Sequence, residues 1–461
     1  MANGKNLQRH RIFWLKEEQP KKINCLNTAD KLKVLFLGHG SYFHVQNLAA
    51  LLKENISSLH IAGANIIRPD GKQVTDADLG SFDEFISLPR KREVSLSTAD
   101  LARELVRSFS GSGLKKELLR NAVLLRFGKA SRLLSGAAEE RKHSAKVEEI
   151  FSNYNVFHFH FIGKELLTPL KYVGNDKVVV LHVWGSDLLN TGGIQAYTAQ
   201  YEAIKRADFI IINTIEMTQY FLAKFGREFA PKIRNAFFVI DNEMMKRISE
   251  SDASALRKKF TGRYGIDERK IIIEAGYNAS VFQKHLEIIE QLNLLAKELK
   301  EKIHVVIPMT YGLGTNSGDY LNAVRKAAAR SLFSTTVIDS YITPEEVLEL
   351  IASTEIKLNL RETDNLNTAM IESFCSDTIA VNGSWMPYGT LRRIGVYYRE
   401  IDSIGHLKNE LEVIINNLEC ERKKTINNSK KVREFFDNSR VAVDWIRAYE
   451  EINLLSKLKR T

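Results

Sequence analysis

Short apolar runs recur along the chain, and the stretches between them carry apolar residues at helical spacing. Lys33 to Leu37, K-V-L-F-L, reads as the first buried strand, and a helical pattern follows from about Phe43 to Lys53. Phe85 to Leu88 is a weaker strand, and residues 98–150 read as helices. Val156 to Phe161, Val178 to Val183 and Asp208 to Ile212 are further strands. A polar, helix-prone stretch at 241–265 reads as the linker. The alternation then restarts with Lys270 to Ala275, Ile303 to Ile307, Thr335 to Ile338, Glu355 to Leu360 and Thr378 to Val381. Strands that alternate with helices predict parallel sheets, and two such series predict two α/β domains. The expected divisions are an extension at 1–30, a first domain at 31–245 and a second at 246–435. A last helix at 436–461 is expected to turn back to the first domain.

The segment Arg361 to Asn382, R-E-T-D-N-L-N-T-A-M-I-E-S-F-C-S-D-T-I-A-V-N, reads as strand end, polar loop, short helix, strand. Its loop, Asp364 to Thr368, falls at the carboxyl end of a parallel strand, where open α/β sheets bind ligands. The helix beginning near Thr368 points free backbone N–H groups and the positive end of its dipole into that crevice, which suits a diphosphate. Glu372, about one turn inside the helix, is placed to reach ribose hydroxyls. Together these describe a nucleotide-sugar pocket.

Other segments carry candidate chemistry. Gly38-His39-Gly40 follows the first strand, where glycines allow a tight turn and close backbone approach. The run F-H-F-H-F puts His158 and His160 on one face of a strand and phenylalanines on the other. His160, near the strand end, is read either as a base or acceptor contact in the cleft, or as a histidine hydrogen-bonded under a covering helix. In H-V-W-G-S-D-L, residues 182–188, Asp187 is a catalytic base, an acceptor contact or a helix cap. Trp184 is an acceptor platform or core.

The acid pair Asp364 and Glu372, eight positions apart, resembles the acid-x7-acid signature of glycosyltransferases with two facing Rossmann-like domains, the GT-B fold. Asp364 stands where Glu is usual, and Trp184 stands at a position commonly held by His. The resemblance implies that Asp364 lies near the donor sugar and that Glu372 holds the ribose. It implies that Gly38, His39 and Gly40 face the donor, and that Gly276, Asn278 and Lys284 hold the diphosphate. Pro308, Tyr311 and Tyr341 would lie beside the base or diphosphate, and backbone N–H groups at Asn367 and Thr368 would stabilise the departing diphosphate. The segments at 182–187 and 305–311 are also similar to the bacterial transferases that add 4-acetamido-4,6-dideoxygalactose to a polyprenyl-linked disaccharide. The implied activity is transfer of a sugar from a nucleotide diphosphate to a glycan or lipid-linked acceptor, in bacterial surface polysaccharide or glycoconjugate synthesis. A nucleotide-sugar epimerase of the same fold and a non-catalytic nucleotide-sugar binder are the alternatives.

Composition narrows this reading. The chain of 461 residues is 44% hydrophobic and 26% charged, as in globular proteins of two domains. Its net charge of +10 favours anionic partners, but no nucleic-acid-binding signature accompanies it, and no nucleic-acid partner is expected. Three distant cysteines, no apolar leader and no long apolar run predict a cytoplasmic protein without disulfides. No D-x-D motif follows a strand, so no metal and no cofactor beyond the nucleotide sugar is expected. Residues 114–132 mix leucines with Lys115, Lys116, Arg120, Arg126, Lys129 and Arg132 at helical spacing. They are read either as a peripheral contact with an anionic membrane or as a solvated helix face.

Overall fold

The computed structural model describes residues 31–38, 42–65, 80–89, 95–110, 121, 127–190, 192–312 and 317–461. Among these residues lie two sheets, and every strand pairing in both is parallel. The first contains β1 (Leu32–Gly38), β2 (Leu59–Asn65), β3 (Glu84–Ile86), β4 (Val156–His160), β5 (Val178–Val183), β6 (Phe209–Ile212) and β7 (Ile233–Asn235), in the spatial order β3-β2-β1-β4-β5-β6-β7. The second contains β8 (Ile271–Ala275), β9 (Ile303–Pro308), β10 (Ser334–Ile338), β11 (Ile356–Asn359), β12 (Ile379–Gly383) and β13 (Arg399–Ile401), in the order β10-β9-β8-β11-β12-β13.

In each sheet the strand order reverses once, between β1 and β4 and between β8 and β11. At such a switch point the flanking loops diverge to opposite faces and leave a crevice beyond the strand ends. The four loops after β1, β4, β8 and β11 are therefore the ones placed to line a site.

The strongest apolar runs are the central strands, and they agree with the expected ones to within a residue or two. β5 covers the same residues as expected. β2, β7 and β13 are not evident from the sequence. β2 reads L-H-I-A-G-A-N, and β7 and β13 are three-residue edge strands with partly exposed side chains. An edge strand buries little and so carries a weak apolar pattern. The two helices at Asn242–Glu250 and Ala253–Tyr264 occupy the polar stretch expected to hold the linker. Each opens on an aspartate, Asp241 or Asp252, whose carboxylate accepts from the first-turn backbone N–H groups.

One apolar core joins the two halves. It runs from Phe36 and Val180 in the first sheet, through Phe237 and Trp445, to Met370, Phe374 and Tyr388 in the second half. The last helix, Asn438–Leu458, lies on the first sheet. Trp445 is fully buried, and its indole N–H donates to the Phe237 carbonyl at 2.8 Å. Tyr449 meets His158 at 2.8 Å, Glu451 pairs with Arg234, and Lys459 pairs with Asp208 at 2.8 Å.

Trp445→Ala removes the largest buried side chain of this seam and its hydrogen bond to the Phe237 carbonyl. Core truncations of this size cost roughly 3–5 kcal/mol. Denaturant titration is expected to show that loss, whereas an exposed-face change such as Leu454→Ala leaves the midpoint within about 0.5 kcal/mol of the parent.

Candidate active site between the two sheets

The loops after β8 and β11 are bound to each other. The Glu362 N–H donates to the Phe282 carbonyl at 2.9 Å, and Tyr277 donates its hydroxyl to Asp364 at 3.1 Å. The turn after β8 needs Gly276. Its φ is +72°, and a Cβ there would stand 2.7 Å from His285 Nε2. Asn278 braces the same turn, accepting from the Ser280 N–H and from the Gln283 side chain.

Asp364 is the centre of this loop pair. It accepts from the Asn367 amide at 2.5 Å as well as from Tyr277, and the Arg361 guanidinium lies 3.6 Å away. Arg361 also donates to the Tyr277 hydroxyl at 2.5 Å, while its Nε is buried without a hydrogen-bond partner. Tyr388 stands behind, receiving N–H groups from Asn359 and Asn367. Burial raises the Asp364 carboxyl to about 6, against the opposing pull of Arg361, Asn367 and Tyr277.

The helix Thr368–Cys375 begins here with Asn367 as its cap, accepting from the Met370 N–H at 2.8 Å. Glu372 follows one turn later. Burial raises its carboxyl to about 7; Lys357 pulls the other way, and Asp241 and Glu274 add to the rise. Lys357 and Glu274 form an ion pair on neighbouring strands, both nearly inaccessible to solvent. Two carboxyl groups titrating near neutrality in one cleft are a mark of functional sites.

The first sheet supplies the opposite wall. Asn365 donates to the Trp184 carbonyl at 3.0 Å, and Thr363 donates to Asn190 at 2.8 Å. Gly185, at φ +125°, lets the chains touch: a Cβ there would lie 2.6 Å from Asn365 Cβ. Asp187 is buried, and its carboxylate accepts from the backbone N–H groups of Ile162, Trp184, Gly185 and Leu188. Asp187 stands inside the short helix Ser186–Leu189, whose cap is Gly185, so it is not the helix cap; both of its oxygens are used in tying these backbone segments together. Trp184 is partly buried against Tyr42, Phe238 and His182 and borders the cleft through its carbonyl.

His160 does not reach the cleft. Strand alternation puts it with His158 on the face covered by the last helix; it is 1% exposed and stacks on the His158 ring at 4.2 Å. Gly38 ends β1 against the His160 carbonyl. His39 and Gly40 lie outside the described residues, as do Lys115, Lys116, Arg120 and Arg126 of the basic stretch.

The remaining candidates scatter more. Lys284 caps the helix His285–Asn293 in a left-handed conformation and pairs with Glu362 at 3.3 Å and Glu287 at 3.5 Å. Pro308 is buried at the end of β9. Tyr311 is more than half exposed, and its carbonyl accepts from the Ala279 N–H, which ties it to the Gly276 turn. Tyr341 is 80% exposed, beside the Thr343 capping box that starts the next helix. Sequence reasoning gave no role to Arg361, Tyr277 or Tyr388. Arg361 opens the informative segment, and a basic residue at a strand end three positions before an acid was the available signal. Nothing local marks Tyr277 or Tyr388, which arrive from other loops.

No known protein family matches the sequence, and no curated protein does. Solved structures do match. HepE of Anabaena, in complex with UDP and glucose, superimposes with a TM-score of 0.63 at 12% identity, over 91% of this chain and 100% of that one. Sucrose-phosphate synthase from Thermosynechococcus elongatus gives 0.62 at 10% identity, over 92% and 99%. A UDP-forming trehalose-phosphate synthase from Burkholderia xenovorans gives 0.60 at 11%, over 93% and 99%. The chain has the GT-B fold: two facing Rossmann-like domains with parallel sheets and a cleft between them.

Glu372→Gln gives two opposed readouts. In the folded protein the Glu372 carboxyl is raised above its unfolded value, so it holds its proton more tightly there. Stability from that preference is present at low pH and is lost as pH rises from about 4.5 to about 7. The glutamine variant, which never ionises, is expected to melt higher than the parent at pH 8, by about 1–3 kcal/mol, and alike at pH 4. Calorimetry at pH 8 is expected to show nucleotide binding weakened about ten- to a hundredfold by loss of the charge-assisted bond.

Proposed function

We propose that the protein is a glycosyltransferase that moves a sugar from a nucleotide-diphosphate donor to a glycan or lipid-linked acceptor. The observation that carries this reading is the joined pair of loops after β8 and β11, with Asp364, Tyr277 and Arg361 packed at the switch point and Glu372 one helical turn away. The fold supports it, since the similar HepE structure was obtained with UDP and glucose.

In this reading the ribose hydroxyls donate to ionised Glu372, and the diphosphate lies on the Gly276 turn and the backbone N–H groups at Asn367 and Thr368. Arg361 and Lys284 balance its charge; Lys284 exchanges Glu362 for phosphate. Asn278, Pro308 and Tyr311 border the base, with Tyr341 at the rim. Asp364 faces the donor sugar, and its hydrogen-bonded oxygens stabilise positive character developing at the anomeric carbon. The acceptor enters over the first sheet past Trp184, and Gly38 faces the donor across the cleft. Asp187 and His160 position this wall, the first by tying down the 184–188 loop and the second by packing beneath it. The cationic side chains and helix N-terminus stabilise the leaving diphosphate, so no divalent ion is needed.

Incubation with a panel of nucleotide-diphosphate sugars, with and without glycan and polyprenyl-linked acceptors, tests the assignment. Release of nucleotide diphosphate and a glycosylated product, both dependent on acceptor, are expected. Acceptor-free interconversion of the sugar would identify an epimerase, and binding without turnover a sensor. Two further outcomes are expected of an active preparation. Turnover persists in EDTA, and Arg361→Gln lowers it about a hundredfold or more while circular dichroism stays unchanged.

A further inference from the structure

We propose that His158, His160 and His182 bind one d-block cation, Zn2+ by preference, at the seam between the first sheet and the last helix. The site is separate from the nucleotide loops, and the inference does not rest on the transferase reading. His158 and His160 are alternate residues of β4, so both imidazoles leave the same face, and His182 is the direct neighbour of His160 on β5. All three are at most 2% exposed. One ring nitrogen from each lies within 4.8 Å of the others.

The spacing of the nitrogens is that of a ligand set, with the stacked His158 and His160 rings turning apart to bring their lone pairs onto one ion. Nδ1 of His182 and Nδ1 of His160 face each other at 3.3 Å. Two nitrogens bound to one tetrahedral zinc at about 2.0–2.1 Å stand about 3.4 Å apart. Nε2 of His182 meets the Asn213 amide oxygen at 3.3 Å. That oxygen only accepts, so the proton is on Nε2 and the lone pair on Nδ1 points into the group. His158 meets the Tyr449 hydroxyl through Nδ1 at 2.8 Å, and its Nε2 is buried with no hydrogen-bond partner. Histidine ligands are held in this way, one nitrogen on the metal and the other on an outer partner that fixes ring and tautomer.

The chemistry of the donors selects the ion. Three imidazole nitrogens suit Zn2+, Cu2+ or Ni2+, whereas Mg2+ and Ca2+ require oxygen ligands. Among the described residues no other His, Cys, Asp or Glu joins the group, which leaves the fourth position to a solvent molecule. A bound ion would tie β4 and β5 to the last helix through Tyr449.

The test uses the full chain, purified without a polyhistidine tag and stripped with a strong chelator. Titration with Co2+ is expected to give visible absorption bands of a low-symmetry nitrogen site, saturating at one ion per chain and displaced by Zn2+. Zn2+ is expected to raise Tm, and Mg2+ is not. His182→Gln should weaken Co2+ binding at least a hundredfold. Tyr449→Phe, which keeps the ring in the core, should weaken it about ten- to a hundredfold and so guards against misfolding of the histidine variant. Absence of both Co2+ bands and a Zn2+-dependent Tm rise in the folded parent overturns the proposal. So does binding of equal affinity in the parent and in folded Tyr449→Phe.

Discussion

The cleft exists because one apolar core passes through both halves of the chain. Phe237 leaves the first sheet and meets Phe436 from the second half edge to face, and Trp445 packs in the same core with its indole bonded to the Phe237 carbonyl. Burial of these large rings fixes the separation of the two sheets at the hinge. Only with that separation set can the β11 loop bring Asn365 against Trp184 and Gly185. The geometry of the site is thus a consequence of packing some distance away, and the chain's last helix is as much a part of it as the loops themselves.

Against that rigid seam the site holds groups in conditions they do not prefer. Asp364 and Glu372 are carboxyl groups pushed towards neutrality by burial, and the Lys357–Glu274 pair beside them is almost fully desolvated. Such groups do not stabilise a fold efficiently, since apolar residues of equal volume commonly do as well or better. Arg361 repeats the pattern, with a buried Nε that finds no acceptor. These desolvated charged groups cluster at the switch point of the second sheet, as perturbed groups do at functional sites.

The sequence made the fold legible because central parallel strands are buried on both faces and so appear as unbroken apolar runs. The edge strands β7 and β13, half in solvent, leave no such trace. The loop after β11 was legible for a related reason: Asp364, Asn367 and Glu372 lie on one strand-loop-helix unit. What the sequence could not supply was the use made of each polar group. Asp187 follows Gly185 and Ser186 in a spacing equally good for a base or a cap, and in the structure it stands inside the helix rather than at its cap, bound by four backbone N–H groups. His160 alternates correctly, but which face of β4 looks into the cleft depends on where residues 438–458 return, nearly three hundred positions later. Tyr277 and Tyr388 reach Asp364 from separate loops, and no local pattern brings them together.

The two kinds of interdomain contact have different strengths. At the hinge the contact is apolar and fully buried. At the cleft it includes, among the described residues, the Asn365–Trp184 and Thr363–Asn190 hydrogen bonds and the close approach at Gly185, with Glu216 accepting from Thr390 and pairing with Arg393 nearby. Hydrogen bonds of this kind are worth about 0.5–1.5 kcal/mol each, and a solvent-exposed ion pair less. These contacts are polar and local, whereas parting the apolar seam would expose Trp445, Phe237 and Phe436 together. The Asn365–Trp184 and Thr363–Asn190 bonds bring the 184–190 loop of the first sheet directly against the β11 loop, so the seam and the cleft are parts of one packing arrangement.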